Sequence, residues 1–170
     1  QATYILHQGL LRLGAIVDYA IPDRIEDGYG VNIRLMEKCV ADGIGLVITC
    51  DNGIAAADAI AYAKEAGIEV IVTDHHEVVR AEDGSQILPE ADAVVNPHRD
   101  DCPYPFAGIC GGVVAYKLVQ VLYEQNRIPE QEWKDMLEFA AIATVGDVMK
   151  LQDENRIIVR WGLKQIPHTA

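Results

Sequence analysis

Residues 45–74 read GLVITCDNGIAAADAIAYAKEAGIEVIVTD, and this stretch decides the fold. GLVITC (45–50) and IEVIVTD (68–74) are apolar on both faces, as strands inside a parallel sheet are. Between them lies an Ala-rich helical segment, IAAADAIAYAKEAG, stopped by Gly67. A strand, a helix and a strand of these lengths make a right-handed parallel crossover. The alternation continues outward. ATYILHQGLLRL has helical spacing and ends at Gly14, AIVDYAI (15–21) is a short β-rich run closed by Pro22, and PDRIEDGYG is a charged loop. VNIRLMEKCVADG is a second helix, stopped by Gly43. ADAVVN (91–96) is a shorter strand, and NPHRDDCPYPF is a proline-rich loop. GGVVAYKLVQVLYEQ and EQEWKDMLEFAAIATV read as two long helices, and NRIIVRWGLKQI as a final amphipathic one. The expected architecture is α/β: a mostly parallel sheet with helices on both faces and a helical C-terminal third packed on it. The 170 residues are expected to form one domain.

Composition narrows the function. Half of the residues are hydrophobic and 24% are charged, a globular profile that a disordered chain lacks. There are 14 Lys and Arg against 26 Asp and Glu, a net charge of −12. That balance argues against a free-standing, non-specific nucleic-acid binder, which needs cations to neutralise phosphates. It leaves room for an enzyme acting on phosphates, because divalent metals held by carboxylates supply local positive charge. Cys39, Cys50, Cys102 and Cys110 form no CxxC pair, so reduced thiols in a cytoplasmic protein are expected rather than disulfides or structural zinc. No apolar run reaches the roughly 18 residues of a membrane span. The chain opens without Met, with QATYILHQGLLRLG already at helical spacing and without a basic leader, so a fragment of a longer protein is expected.

Two strands end in residues with ligand character: Asp51 after GLVITC, and Asp74-His75-His76-Glu77 after IEVIVT. In open α/β sheets, sites form at these carboxyl ends. Adjacent parallel strands lie about 4.8 Å apart, so groups at neighbouring ends can share one ion. A carboxylate and an imidazole together suit Mn²⁺, Mg²⁺, Fe²⁺ or Zn²⁺. Each piece also has a plainer reading. Asp51-Asn52-Gly53 makes a good turn, Asp74 can cap a helix starting near His76, and two histidines can be ordinary loop residues. Asp147, in ATVGDVMKL, is a third candidate: an acid between apolar stretches is costly to bury unless paired or metal-bound. Its plainer reading is a loop residue facing water after a helix.

TCDNGI, TDHHE and ATVGDVMKL, in this order, resemble the DHH superfamily of phosphoesterases. IPDRIEDGYGVN, VVNPHRDDCPYPF, GICGGVVAYKL and LQDENR resemble one branch of it, the bacterial RecJ-type single-stranded-DNA-specific exonucleases. The resemblance runs from the first helix to the end of the chain. It implies metal-ligand roles for Asp51, which would bridge two divalent cations, and for His75 and Asp147. His76 would meet the scissile phosphate, with Asp74 supporting the histidines from behind. The loop from Arg24 to Gly30 would face the substrate strand, with Arg24 and Tyr29 as contacts and Gly28 and Gly30 allowing the backbone a close turn. Gly111 and Gly112 would lie where a helix N-terminus can face a phosphate, with close packing as the alternative.

The same resemblance implies an Asp-x-Asp motif on a first strand and a second, smaller domain with a glycine-rich motif. Neither pattern occurs in these 170 residues, so the expectation is an N-terminally incomplete DHH catalytic domain, inactive alone. The implied chemistry is phosphodiester hydrolysis assisted by two cations, Mn²⁺ or Mg²⁺. The implied substrate of the full-length parent is single-stranded DNA taken 5′ to 3′, in DNA repair and recombination, in the cytoplasm and away from membranes. Two alternatives stay open: a DHH phosphodiesterase for short oligoribonucleotides, cyclic dinucleotides or pyrophosphate, and a non-catalytic α/β interaction module.

Overall fold

A computed structural model describes residues 1–22 and 30–166. The chain divides into two compact units, one of Ala20–Pro103 and one of Gln1–Tyr19 with Tyr104–Ala170.

The α/β unit holds a parallel sheet of three strands, β1 (Leu46–Cys50), β2 (Glu69–Thr73) and β3 (Ala93–Val95), in that spatial order. Val47 pairs with Val70 and Val72 with Val94, which lines up one apolar face. Helices α2 (Ile33–Ala41) and α3 (Ala57–Glu65) bury Met36, Ala59, Ile60 and Ala63 in one cluster with Val70 and Val72. Each fully buried aliphatic side chain here contributes about 1.5–3 kcal/mol relative to exposure. Asn32 caps α2, its side-chain oxygen accepting from Leu35 N at 2.9 Å. The fold class is the α/β parallel sheet with helices that the apolar strand pattern predicts.

The helical unit contains α1 (Ala2–Arg12), α4 (Gly111–Gln125), α5 (Glu130–Lys134), α6 (Leu137–Gly146) and α7 (Asp153–Gln165). α4 packs against α1, α5 and α6, and α7 packs along α6. A Cβ at Gly112 would overlap that of Ala143, so these helices meet at small residues. Gly112→Val is therefore expected to destabilise this unit by about 1–3 kcal/mol through overpacking. The gain in helix propensity, under ~0.5 kcal/mol, does not offset that. Urea unfolding and amide exchange in α4 and α6 would register the loss; unchanged protection would contradict the packing argument.

Three expectations are corrected. AIVDYAI forms no strand: Ile16, Tyr19 and Ile21 are exposed, and no ladder partner meets them among the described residues. β-Propensity needs a half-buried pleated surface to act on, and this run has none. EQEWKDMLEFAAIATV is two helices, because Met136 N bonds Trp133 O and Phe139 N bonds Met136 O, three-residue steps that shift the helical register. The polar α5 and the apolar α6 then face different surroundings. The helix after Gly53 starts only at Ala57, for a reason that lies in the site.

Candidate metal centre

The β1 strand extends one residue into Asp51, whose N–H donates to Thr73 O at 3.0 Å. Asp51 then turns the chain with φ +59°, a left-handed conformation that Asp and Asn tolerate better than other side chains. Gly53 has φ +110°, and a Cβ there would come within 2.7 Å of Thr49 Oγ1. Only glycine fits this turn. Thr49 Oγ1 donates to Asn52 O at 2.7 Å, and Thr73 Oγ1 donates to Thr49 O at 2.6 Å. Two buried threonine hydroxyls therefore tie the ends of β1 and β2 together below the loop.

Asp74 follows β2 and is 1% exposed. Its Oδ2 accepts from Ile54 N at 2.9 Å, which holds residues 53–56 out of helical register and delays α3. Its Oδ1 accepts from His75 N at 2.7 Å, from His76 N at 3.2 Å and from His76 Nδ1 at 2.7 Å. Because an ionised carboxylate only accepts, Nδ1 of His76 carries the proton and Nε2 is the nitrogen left for other chemistry. No helix starts near His76, so the capping role for Asp74 is set aside.

His75 Nε2 stands 3.0 Å from Asp51 Oδ1, across the ends of β1 and β2. Ligand atoms of Asp51, His75 and His76 all lie within 4.8 Å of one another. Two cis ligands about 2.1 Å from an octahedral ion lie about 3 Å apart, so the Asp51–His75 separation matches a shared cation. Among the described residues, neither Asp51 nor Asp74 pairs with Lys or Arg; each instead faces a histidine. A carboxylate and two imidazoles form a donor set that fits a divalent cation.

Sequence reasoning missed Asn96. It is 2% exposed at the end of β3, donates from Nδ2 to His76 O at 2.9 Å, and accepts from His98 N at 2.8 Å. It fixes the histidine loop from the neighbouring strand. The available signal was an Asn following an apolar strand, the same placement as Asp51 and Asp74.

The other candidates divide. Gly30 has φ +94°, and a Cβ there would approach Asn52 Oδ1 to 3.1 Å, so it is a close-turn glycine beside the Asp51 loop. Arg24, Gly28 and Tyr29 lie outside the described residues. Gly111 is buried as the first residue of α4, and Gly112 serves packing on α6. Asp147 belongs to the helical unit, where it is the exposed C-cap of α6. No disulfide joins the four cysteines, and burial pushes the Cys39 and Cys110 thiols up. Among the described residues, no helix is long and apolar enough to cross a membrane.

The model of the DHH family, N-terminal domain, matches residues 1–144. The single-stranded-DNA-specific exonuclease RecJ of Bacillus subtilis is 39% identical over 168 residues, covering 99% of this chain and 20% of that protein. The enzyme of the same name from Thermus thermophilus is 36% identical over 170 residues, covering 99% of this chain and 23% of that protein. The chain thus spans less than a quarter of the length of these two relatives. A crystal structure of exonuclease RecJ bound to manganese superposes with a TM-score of 0.83 at 34% identity, over 98% of this chain and 40% of that one. RecJ from Thermus thermophilus in complex with Mn²⁺ gives 0.76 at 30% identity, over 99% and 23%. A family match over residues 1–144 and a shared fold over 98% of the chain go far beyond one tripeptide, and the chain belongs to the DHH family.

Proposed function

We propose that this chain is most of the catalytic domain of a metal-dependent phosphodiesterase. Its full-length parent degrades single-stranded DNA from the 5′ end, in cytoplasmic DNA repair and recombination. The observation that carries the proposal is the convergence of Asp51, His75 and His76 at the carboxyl ends of β1 and β2. The similarity to RecJ exonucleases supports the substrate.

In this reading Asp51 and His75 hold divalent cation, with Asp147 as a further ligand and two ions, Mn²⁺ or Mg²⁺, in the complete site. Divalent cations held there supply Lewis-acid activation of water and offset phosphate charge. The protein's own residues do the orienting. Asp74 locks the His76 ring through Nδ1, so that Nε2 meets the phosphate oxygen, and Asn96 holds the same residue by its carbonyl. Two features support Asp147. A carboxylate at a helix C-terminus opposes the helix dipole, a position that a bound cation relieves. Val148, next to it, has φ +54°, and a β-branched residue in the left-handed region is the kind of strain that clusters at functional sites.

The deciding experiment is digestion by the full-length protein of 5′-phosphorylated single-stranded DNA with Mn²⁺, beside duplex DNA, dinucleotides and cyclic dinucleotides. Cleavage of single strands that stops with EDTA is expected; turnover of dinucleotides alone would move the protein to another DHH substrate. His76→Ala is expected to lower turnover by roughly 10²–10⁴-fold, the usual worth of a positioned acid–base or phosphate-binding side chain. Calorimetric Mn²⁺ affinity should change little. A matching loss of Mn²⁺ binding would make His76 a metal ligand as well.

A further inference from the structure

We infer that the outer face of α7 is a docking surface for the phosphate backbone of a single-stranded nucleic acid. α7 buries Asn155, Ile158, Val159 and Gly162 and leaves Arg156, Arg160 and Lys164 exposed. These three cations recur every four residues, one above the next on one helix face, about 6 Å of rise apart. That interval is comparable to the spacing of successive phosphates along an extended strand. Residues 155–166 contain no Asp or Glu, in a chain whose net charge is −12. Asp153 and Glu154 stand in the first turn of α7, Glu154 being paired with Lys117; from Asn155 onward the stripe is a cationic exception in an acidic chain.

Beside the stripe, Trp161 is 53% exposed, and Lys164 Nζ sits 4.5 Å from the centre of its ring. Ile157, one turn earlier, is 60% exposed. Cations that track phosphates next to an exposed indole are the parts of a stacking platform for unpaired bases. A base within a duplex offers no face to such a ring, so the surface suits a single strand. An acidic protein partner would satisfy the cations and leave the indole without a stacking role. The choice of a nucleic acid rests on the nuclease reading above; the stripe and the platform rest on α7 alone.

The test uses the full-length protein in EDTA, so that binding is read without cleavage. Affinity for fluorescent oligo-dT is measured by anisotropy over a range of salt concentrations. For single strands each lost phosphate contact reduces the slope of log K against log salt by about 0.7, so R156Q/R160Q/K164Q should flatten it by about 2. Trp161→Ala should weaken binding about tenfold with the slope unchanged, and Trp161→Phe should restore most of it. An unchanged slope in the triple variant overturns the inference. So does weaker binding accompanied by a large fall in melting temperature, which would mean that other parts of the protein cover this face. A wild-type protein that neither binds nor cleaves single strands removes the nuclease reading itself. One that cleaves them while the triple variant keeps the wild-type slope removes only the docking surface.

Discussion

Asp51→Asn in the full-length protein is expected to abolish most Mn²⁺-dependent cleavage and to leave the fold intact. The two halves have separate causes. Asp51 is the carboxylate 3.0 Å from His75 Nε2, and an amide is a neutral and poorer ligand. Removing even the outer partner of a metal ligand commonly costs about 10- to 100-fold, so if Asp51 holds the ion as proposed, its replacement should cost more than two orders of magnitude. The fold does not depend on this carboxylate, whose side chain is 44% exposed. What the fold uses is the Asp51 N–H to Thr73 O bond and the left-handed turn, both of which Asn retains. Exposed substitutions of this kind stay within about 0.5 kcal/mol. Melting curves with and without Mn²⁺ separate the effects. Wild type should gain stability from the ion by mass action, and the variant should lose that gain while matching wild type in EDTA. A variant that keeps both its activity and its Mn²⁺-induced shift would remove Asp51 from the metal centre.

The residues that proved legible in the sequence were those whose roles depend on local pattern. β1 and β2 are short apolar runs bounded by turn residues, and α4 is an unbroken helical stretch ending in Asn126, so each announces itself. Asp51 and His75 could be nominated because strand ends are where α/β sheets place ligands. What stayed hidden depends on partners far away in the chain. The start of α3 is displaced because Ile54 N–H bonds a carboxylate twenty residues on. Thr49 and Thr73 look like β-branched strand residues until their hydroxyls donate to backbone carbonyls, that of Thr73 to Thr49 O across the strands and that of Thr49 to Asn52 O in the loop. Asn96 reads as the junction of a short strand and a proline-rich loop until its amide reaches His76 O. Gly112 was open to anion binding or packing, and its close approach to Ala143, which shows the packing, was not readable from the sequence.

Asp74→Asn is expected to fail in the opposite way from Asp51→Asn: a marked loss of stability, with activity falling because the His76 ring is released. Four donors converge on the Asp74 carboxylate, Ile54 N–H on Oδ2 and two backbone N–H groups with His76 Nδ1 on Oδ1. An asparagine must place its NH₂ at one of these oxygen positions. At Oδ2 it faces Ile54 N–H donor to donor, and at Oδ1 it faces three donors at once. Water cannot relieve either conflict, because the side chain is 1% exposed. A buried donor left unsatisfied costs about 1–3 kcal/mol, and the lost charge-assisted bonds add to it. Removing a buried charge recovers some desolvation energy, but four donors already solvate that charge, so the recovery is the smaller effect. The expected net loss is about 2–4 kcal/mol, large against the about 5–15 kcal/mol of a typical domain. Urea unfolding should register it, with accelerated amide exchange at Ile54, His75 and His76 marking where the structure opens. Turnover should fall about 10- to 100-fold, as for an outer partner of a metal-site histidine. Mn²⁺ affinity should suffer less than in Asp51→Asn. A variant as stable as wild type, with those three amides equally protected, would show that the carboxylate does not organise the strand ends.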